Sequence, residues 1–168
     1  MKLLHFVRYK LVILVGILFV VYCSNFANAT TIITIARTKN FNLPNVTLKE
    51  CLEAFQEAKD EWESVCDIKF KFSRNPKWMI KSQEIDKKWR AVTKQKSYEI
   101  IFNQKPRKTI WTKDIVSRVM KHELFHALLP DIEHNKDPTS IINNTGKLPE
   151  HLNENDIKEA QKVYGKPK

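Results

Sequence analysis

Glycine and cysteine are scarce in this 168-residue chain, with three of each, and proline numbers only seven. No tract repeats, so collagen-like, low-complexity and solenoid architectures are excluded. Acid is also in short supply, with 19 Asp+Glu against 29 Lys+Arg. Long apolar runs are lacking: the longest, Leu11 to Cys23, covers about 13 residues, short of the roughly 18–20 that span a bilayer. What is present, 42% hydrophobic and 29% charged residues, suits one globular domain with a sizeable core.

The apolar run follows Lys2, Arg8 and Lys10 and ends shortly before Ala27-Asn28-Ala29, a small-x-small triplet. That order predicts a signal peptide over 1–29 and an exported domain over 30–168. An uncleaved anchor is the alternative. Tyr22 before Cys23 is too bulky for a lipid-modification site. Setting 1–29 aside removes three cations and no acid, so the net charge falls from +10 to +7. Cys51 and Cys66 then remain. On one straight helix, 15 residues apart, they stand about 22 Å apart, beyond the roughly 7 Å a disulfide allows, so buried free thiols are expected.

Thr30 to Arg37 is β-branched and predicts a first strand. Thr47 with Glu50 forms a capping box before apolar positions Leu48, Cys51, Leu52, Phe55, Trp62 and Val65, which predicts a helix. Ile68, Phe70 and Phe72 alternate with lysines as in a strand with one wet face. Residues 73–88 carry no clean period and read as a loop, followed by short strands at Trp89–Thr93 and Tyr98–Asn103. A second helix starts near Thr112 and stops at Pro130. A third follows Asn153, with Ile157, Ala160 and Val163 expected inward and Gly165 after it.

The second helix carries His122-Glu123-Leu124-Phe125-His126. Histidines four apart lie on one helical face, one turn apart, and both imidazoles can reach one metal ion. Zinc in a catalytic site takes three protein ligands and leaves a fourth position open, beside which Glu123 can accept a proton from water. His134, eight residues beyond His126, is the third-ligand candidate, with Asp131 or Glu133 as substitutes. Below about pH 6 such imidazoles are expected to protonate and release metal.

These residues resemble the metzincin metalloproteases, and among them the matrixins, whose signature is HExxHxxGxxH followed by a Met-turn. His122 to His126 is similar to the first half of that signature, and His134-Asn-Lys-Asp137-Pro138-Thr-Ser140-Ile141-Ile142 to the family's H-x-x-D-P-x-S-I-M. Leu152 to Gly165 is similar to its C-terminal helix, Phe55 to Phe70 to its first helix and second strand, and Trp111-Thr112 to the pair before its catalytic helix. Leu129-Pro130 replaces the family's turn glycine, two extra residues precede His134, and Ile142 stands at the methionine. The resemblance implies an α+β, metzincin-like fold: a small twisted mixed β-sheet with two main helices and a C-terminal helix. It also implies one catalytic Zn²⁺ on His122, His126 and His134, with Glu123 as general base in peptide-bond hydrolysis. Substrate would be a protein or peptide strand antiparallel to an edge strand at Trp89–Thr93. Asn143 and Asn144 stand where the family shapes a substrate pocket. No propeptide-type segment is expected between Ala29 and the first strand, and once 1–29 is removed no cysteine precedes that strand, so no cysteine switch is expected; residues 73–110 offer no counterpart to the family's structural metal loops.

Two other readings compete. A gluzincin would take its third ligand from Glu150, Glu154 or Glu159. A degenerate site, given the lost glycine and methionine, would leave an exported, inactive binding protein. The basic residues Lys87, Lys88, Arg90, Lys94, Lys96, Lys105, Arg107 and Lys108 come with no zinc-finger or RNP-like motif. They read as a solvated face, or one drawn to acidic substrate, and nucleic acid is not expected as a partner. The exported chain is expected to be a monomer with no stable membrane insertion.

Overall fold

A computed structural model describes residues 30–168; the leader assigned to 1–29 and its cleavage lie outside the described residues. In chain order the elements are β1 (Thr31–Arg37), α1 (Leu48–Val65), β2 (Ile68–Phe72), β3 (Trp78–Gln83), β4 (Ala91–Lys94), a 3₁₀ turn (Gln95–Ser97), β5 (Glu99–Asn103), α2 (Lys113–Leu128) and α3 (Glu154–Tyr164). The class is α+β, as expected: one mixed sheet of five strands, order β2-β1-β3-β5-β4, with two main helices and a C-terminal one. Three pairings are parallel, and β4 runs antiparallel to β5 at the sheet's edge. Among the described residues no helix is long and apolar enough to cross a membrane.

The capping box of α1 forms as its sequence dictates: the Thr47 hydroxyl accepts from the Glu50 backbone N–H and the Glu50 carboxylate accepts from the Thr47 N–H. One face of α1, with Cys51, Ala54, Phe55, Ala58 and Trp62, is buried. Helix α1 packs along α2, where the Trp62 ring meets Phe125 at 4.9 Å and its indole N–H donates to the Lys121 carbonyl at 3.1 Å. Burying an aromatic side chain of this kind contributes about 1.5–3 kcal/mol, and the hydrogen bond fixes the rotation of α2. Phe41, Phe55 and Phe102 join the sheet to α1, with centroids 5.4–5.9 Å apart. Cys51 and Cys66 are free and buried, and burial pushes both thiols up to about 11.

Three expectations need correction. Residues 73–88 are not all loop: β3 lies inside them and occupies the centre of the sheet, between β1 and β5. Trp78 and Ile80 are buried on one face, while Met79 and Lys81 are half-buried on the other, so covering of both faces erased the alternation. The edge strand begins at Ala91 rather than Trp89, because Trp89 closes a turn onto the Asp86 carbonyl. Val163 faces outward at 62% exposure; the packed face of α3 is Asp156 and Ala160, flanked by Ile157, Gln161 and Tyr164.

Candidate metal centre

Helix α2 is buried on nearly every side, between α1, strand β4 and the segment 140–148. Thr112 caps its start, accepting from the Ile115 N–H. Its end is closed without a left-handed residue: Leu129, at φ −121°, donates its N–H to the Phe125 carbonyl, and Ile132 N–H then turns back onto the Leu129 carbonyl. No glycine is required for that geometry, so the Leu129-Pro130 replacement is accommodated by a wider loop. The Tyr164 hydroxyl of α3 donates to the Leu128 carbonyl at 2.6 Å and supports the same helix end.

The wider loop returns His134 to the helix. Asn135 N–H donates to the Ile142 carbonyl and Asn144 N–H to the Asn135 carbonyl, tying the residue after His134 to the segment beneath the site. His134 Nε2 then lies 3.2 Å from His122 Nε2 and 3.4 Å from His126 Nε2. Nitrogens about 2.0–2.1 Å from one tetrahedral zinc ion stand about 3.3 Å from each other, which the observed separations match.

Protonation fits the same ligand. His122 Nδ1 lies 2.6 Å from the Ile141 carbonyl, an acceptor only, so Nδ1 carries the proton and Nε2 presents a lone pair to the cluster. Burial pushes His122 down to about 4; the neighbouring His134 and Arg90 press the same way against the Ile141 hydrogen bond. His126 is pushed down to about 3, by burial first and then by the other two histidines, and burial lowers His134 as well. Folded, metal-free protein therefore keeps His122 and His126 neutral well below pH 6. The residues present fit a zinc ion by donor type, tautomer and spacing.

Glu123 is only 4% exposed, on the wall between two cavities that both include His122 and His134. Burial raises its carboxyl to about 7, opposed by Thr93 of β4, whose hydroxyl lies 2.6 Å from Oε2. Sequence reasoning missed Thr93, because nothing local links it to a residue 30 positions away. It also missed Asp156 of α3. That buried carboxylate accepts from the Ser140 hydroxyl at 2.6 Å, the Ile141 N–H at 2.8 Å and the Asn153 N–H at 3.1 Å. Asp156 thus holds Ile141, and Ile141 orients His122. Asp156→Asn is expected to destabilise the protein by about 3 kcal/mol, since an amide places a donor against donors in a buried site. Zinc affinity should fall about 10–100-fold with it; denaturant titration and competition with a chromophoric chelator check the two effects.

Other candidate residues fall elsewhere. Asp131 and Glu133 are exposed and not part of the metal-competent histidine cluster. Glu150 pairs with Arg118, Glu154 with Lys158 and Glu159 with Lys162. Ile141 and Ile142 are buried beneath the site, while Asn143 and Asn144 border the larger cavity. Asn143 is itself buried and braces its own turn, donating to the carbonyls of Ser140 and Lys147. No protein-family model matches the chain, and no curated protein matches it.

Proposed function

We propose that this chain is an exported zinc-dependent endopeptidase of the metzincin kind, with His122, His126 and His134 as ligands and Glu123 as general base. The observation that carries this reading is the convergence of three neutral imidazole nitrogens, at 3.2 and 3.4 Å, beside a buried carboxyl poised near neutrality. When bound, zinc supplies a Lewis acid that acidifies water and polarises a peptide carbonyl.

Glu123 supplies the proton traffic. Its Oε2 is held by Thr93, which leaves Oε1 to receive a proton from the attacking water and return it to the leaving amine. Water thereby adds across the amide, the C–N bond breaks, and carboxylate and amine are released. A carboxyl raised to about 7 suits both halves of that transfer near neutral pH. Strand β4 ends the sheet, so its outer edge is available to pair with an extended substrate.

Incubating the purified, zinc-loaded protein with a diverse peptide library tests the reading. Hydrolysis that stops in chelator and returns with zinc is the expected result; cleavage persisting after exhaustive metal removal would sink it. Zinc binding without any hydrolysis would favour the binding-protein alternative instead.

A further inference from the structure

We infer that the site selects peptides with an acidic side chain on the C-terminal side of the scissile bond, its carboxylate received by Arg90, Arg107 and Lys108. The inference rests on the peptidase reading and names its substrate class.

Two cavities, of about 480 and 360 Å³, meet at His122, Glu123 and His134. They differ in charge. The larger is bordered by Lys88, Arg90, Arg107 and Lys108, and its one carboxylate is Glu123 at the metal centre. The smaller shares Trp89 and Ala91 with the larger and is otherwise lined by neutral residues such as Gln95, Pro130 and Ile132, with Glu123 and the three histidines its only titratable groups.

Of these cations Arg90 is held by side-chain hydrogen bonds without being neutralised. Arg90 donates from Nε to the Thr109 hydroxyl at 3.1 Å and from Nη1 to the Gly146 carbonyl at 2.7 Å, both uncharged oxygens. Its guanidinium is therefore oriented in advance with its charge unspent. Of the four cations only Lys88 has an ion-pair partner among the described residues, Asp86 at 3.4 Å. Arg107 is anchored through its backbone N–H to the Lys87 carbonyl at 2.6 Å. Lys108 holds a left-handed φ of 63°, a conformation disfavoured for a lysine and retained where the surroundings impose it.

Chain direction assigns this cavity to one side of the substrate. Lys88 to Ala91, the segment leading into β4, border the larger cavity; Trp89 and Ala91 line the smaller as well, which continues along the chain to Val92, Thr93 and Gln95. A peptide antiparallel to the free edge of β4 runs the opposite way. Its C-terminal half, beyond the scissile bond, then lies against the cations.

Two readouts test this. Sequencing the products of a peptide library with amidated C-termini should show Asp and Glu enriched at least about 10-fold over Lys and Arg in the first three positions after the cut. The paired variant Arg107→Glu, Lys108→Glu should reverse that preference, a gain that a misfolded protein cannot produce. Separately, fluorescence anisotropy on zinc-loaded protein should show a labelled Glu-containing peptide binding at least about 10-fold more tightly than its Lys counterpart, the difference shrinking at high salt. Cleavage without acidic enrichment, or equal binding of the two peptides, overturns the inference and leaves the peptidase reading standing. Acid-selective binding lost in the paired variant, with no peptide cut, supports Arg90, Arg107 and Lys108 as an acid-receiving subsite but overturns its placement beside a scissile bond, together with the peptidase reading.

Discussion

Under the peptidase proposal, replacing Glu123 with Gln is expected to lower kcat/KM for peptide hydrolysis by about 10²–10⁴-fold, the usual contribution of a positioned general base, while zinc content is expected to stay at that of the wild type. The amide keeps the shape of the side chain and its contact with Thr93 but cannot take up a proton. The same substitution has an opposite effect on stability. Burial raises the folded-state carboxyl from 4.5 to about 7. A group with a raised folded pKa contributes stability fully below its unfolded value, near 4.5, and that contribution is lost as pH rises through about 7. Metal-free Glu123→Gln should therefore be more stable than metal-free wild type at pH 8, by up to about 3 kcal/mol. The difference should vanish below pH 4.5. Denaturant titrations of both proteins at pH 4 and pH 8 check this, and equal stability at pH 8 would show that Glu123 is not desolvated as described. Loss of activity joined to gain of stability separates a strained functional carboxyl from one that merely holds the fold.

His134→Ala is expected to weaken zinc binding by more than about 10²-fold, beyond the 10–100-fold typical when only an outer partner is lost. Peptide hydrolysis should go with it. The metal-free fold should hardly change, because His134 is exposed on a loop whose position is set by Asn135 and Asn144 rather than by the imidazole. Competition with a chromophoric chelator gives the affinity, and thermal unfolding of the metal-free protein serves as the control. Near-wild-type affinity would return Asp131 or Glu133 to consideration as ligands. Histidines 122 and 126 behave differently on acidification. Their folded values, about 4 and about 3, lie below the unfolded 6.5. The contribution of these two histidines to the stability of the metal-free protein is therefore full above about pH 6.5 and declines as pH falls toward those values, by about 1.4 kcal/mol per pH unit for each such histidine.

Local features made the helices legible. Thr47 with Glu50, and Thr112 and Asn153 as caps, are written in adjacent residues, and each forms as those residues dictate. The pair His122 and His126 was legible for the same reason, since spacing on one helix fixes which side chains share a face. Strand β3 was not, because a central strand covered on both faces loses the alternation that marks an edge or half-exposed strand. Nor could any local rule place Thr93 against Glu123 or Arg90 against Gly146, contacts that span 30 and 56 residues. Val163 is apolar yet points outward, while the polar Asp156 on the same helix is buried beside Ala160. A buried carboxylate is invisible to a search for apolar periodicity, and here it holds Ile141, whose carbonyl orients His122.

The anchoring of Ile141 by Asp156 sets an order of assembly. A nascent chain that has been synthesised only as far as residue 150 already contains all three histidines and Glu123, yet it lacks the carboxylate that fixes Ile141 and through it the His122 tautomer. The geometry of the histidine cluster is thus completed only once α3 has been made, after the residues of every other described element. A nick between residues 144 and 152 would likewise detach α3 from the ligand segment while sparing the sheet. For a protein proposed to cut other proteins, that dependence keeps incomplete and damaged copies inert.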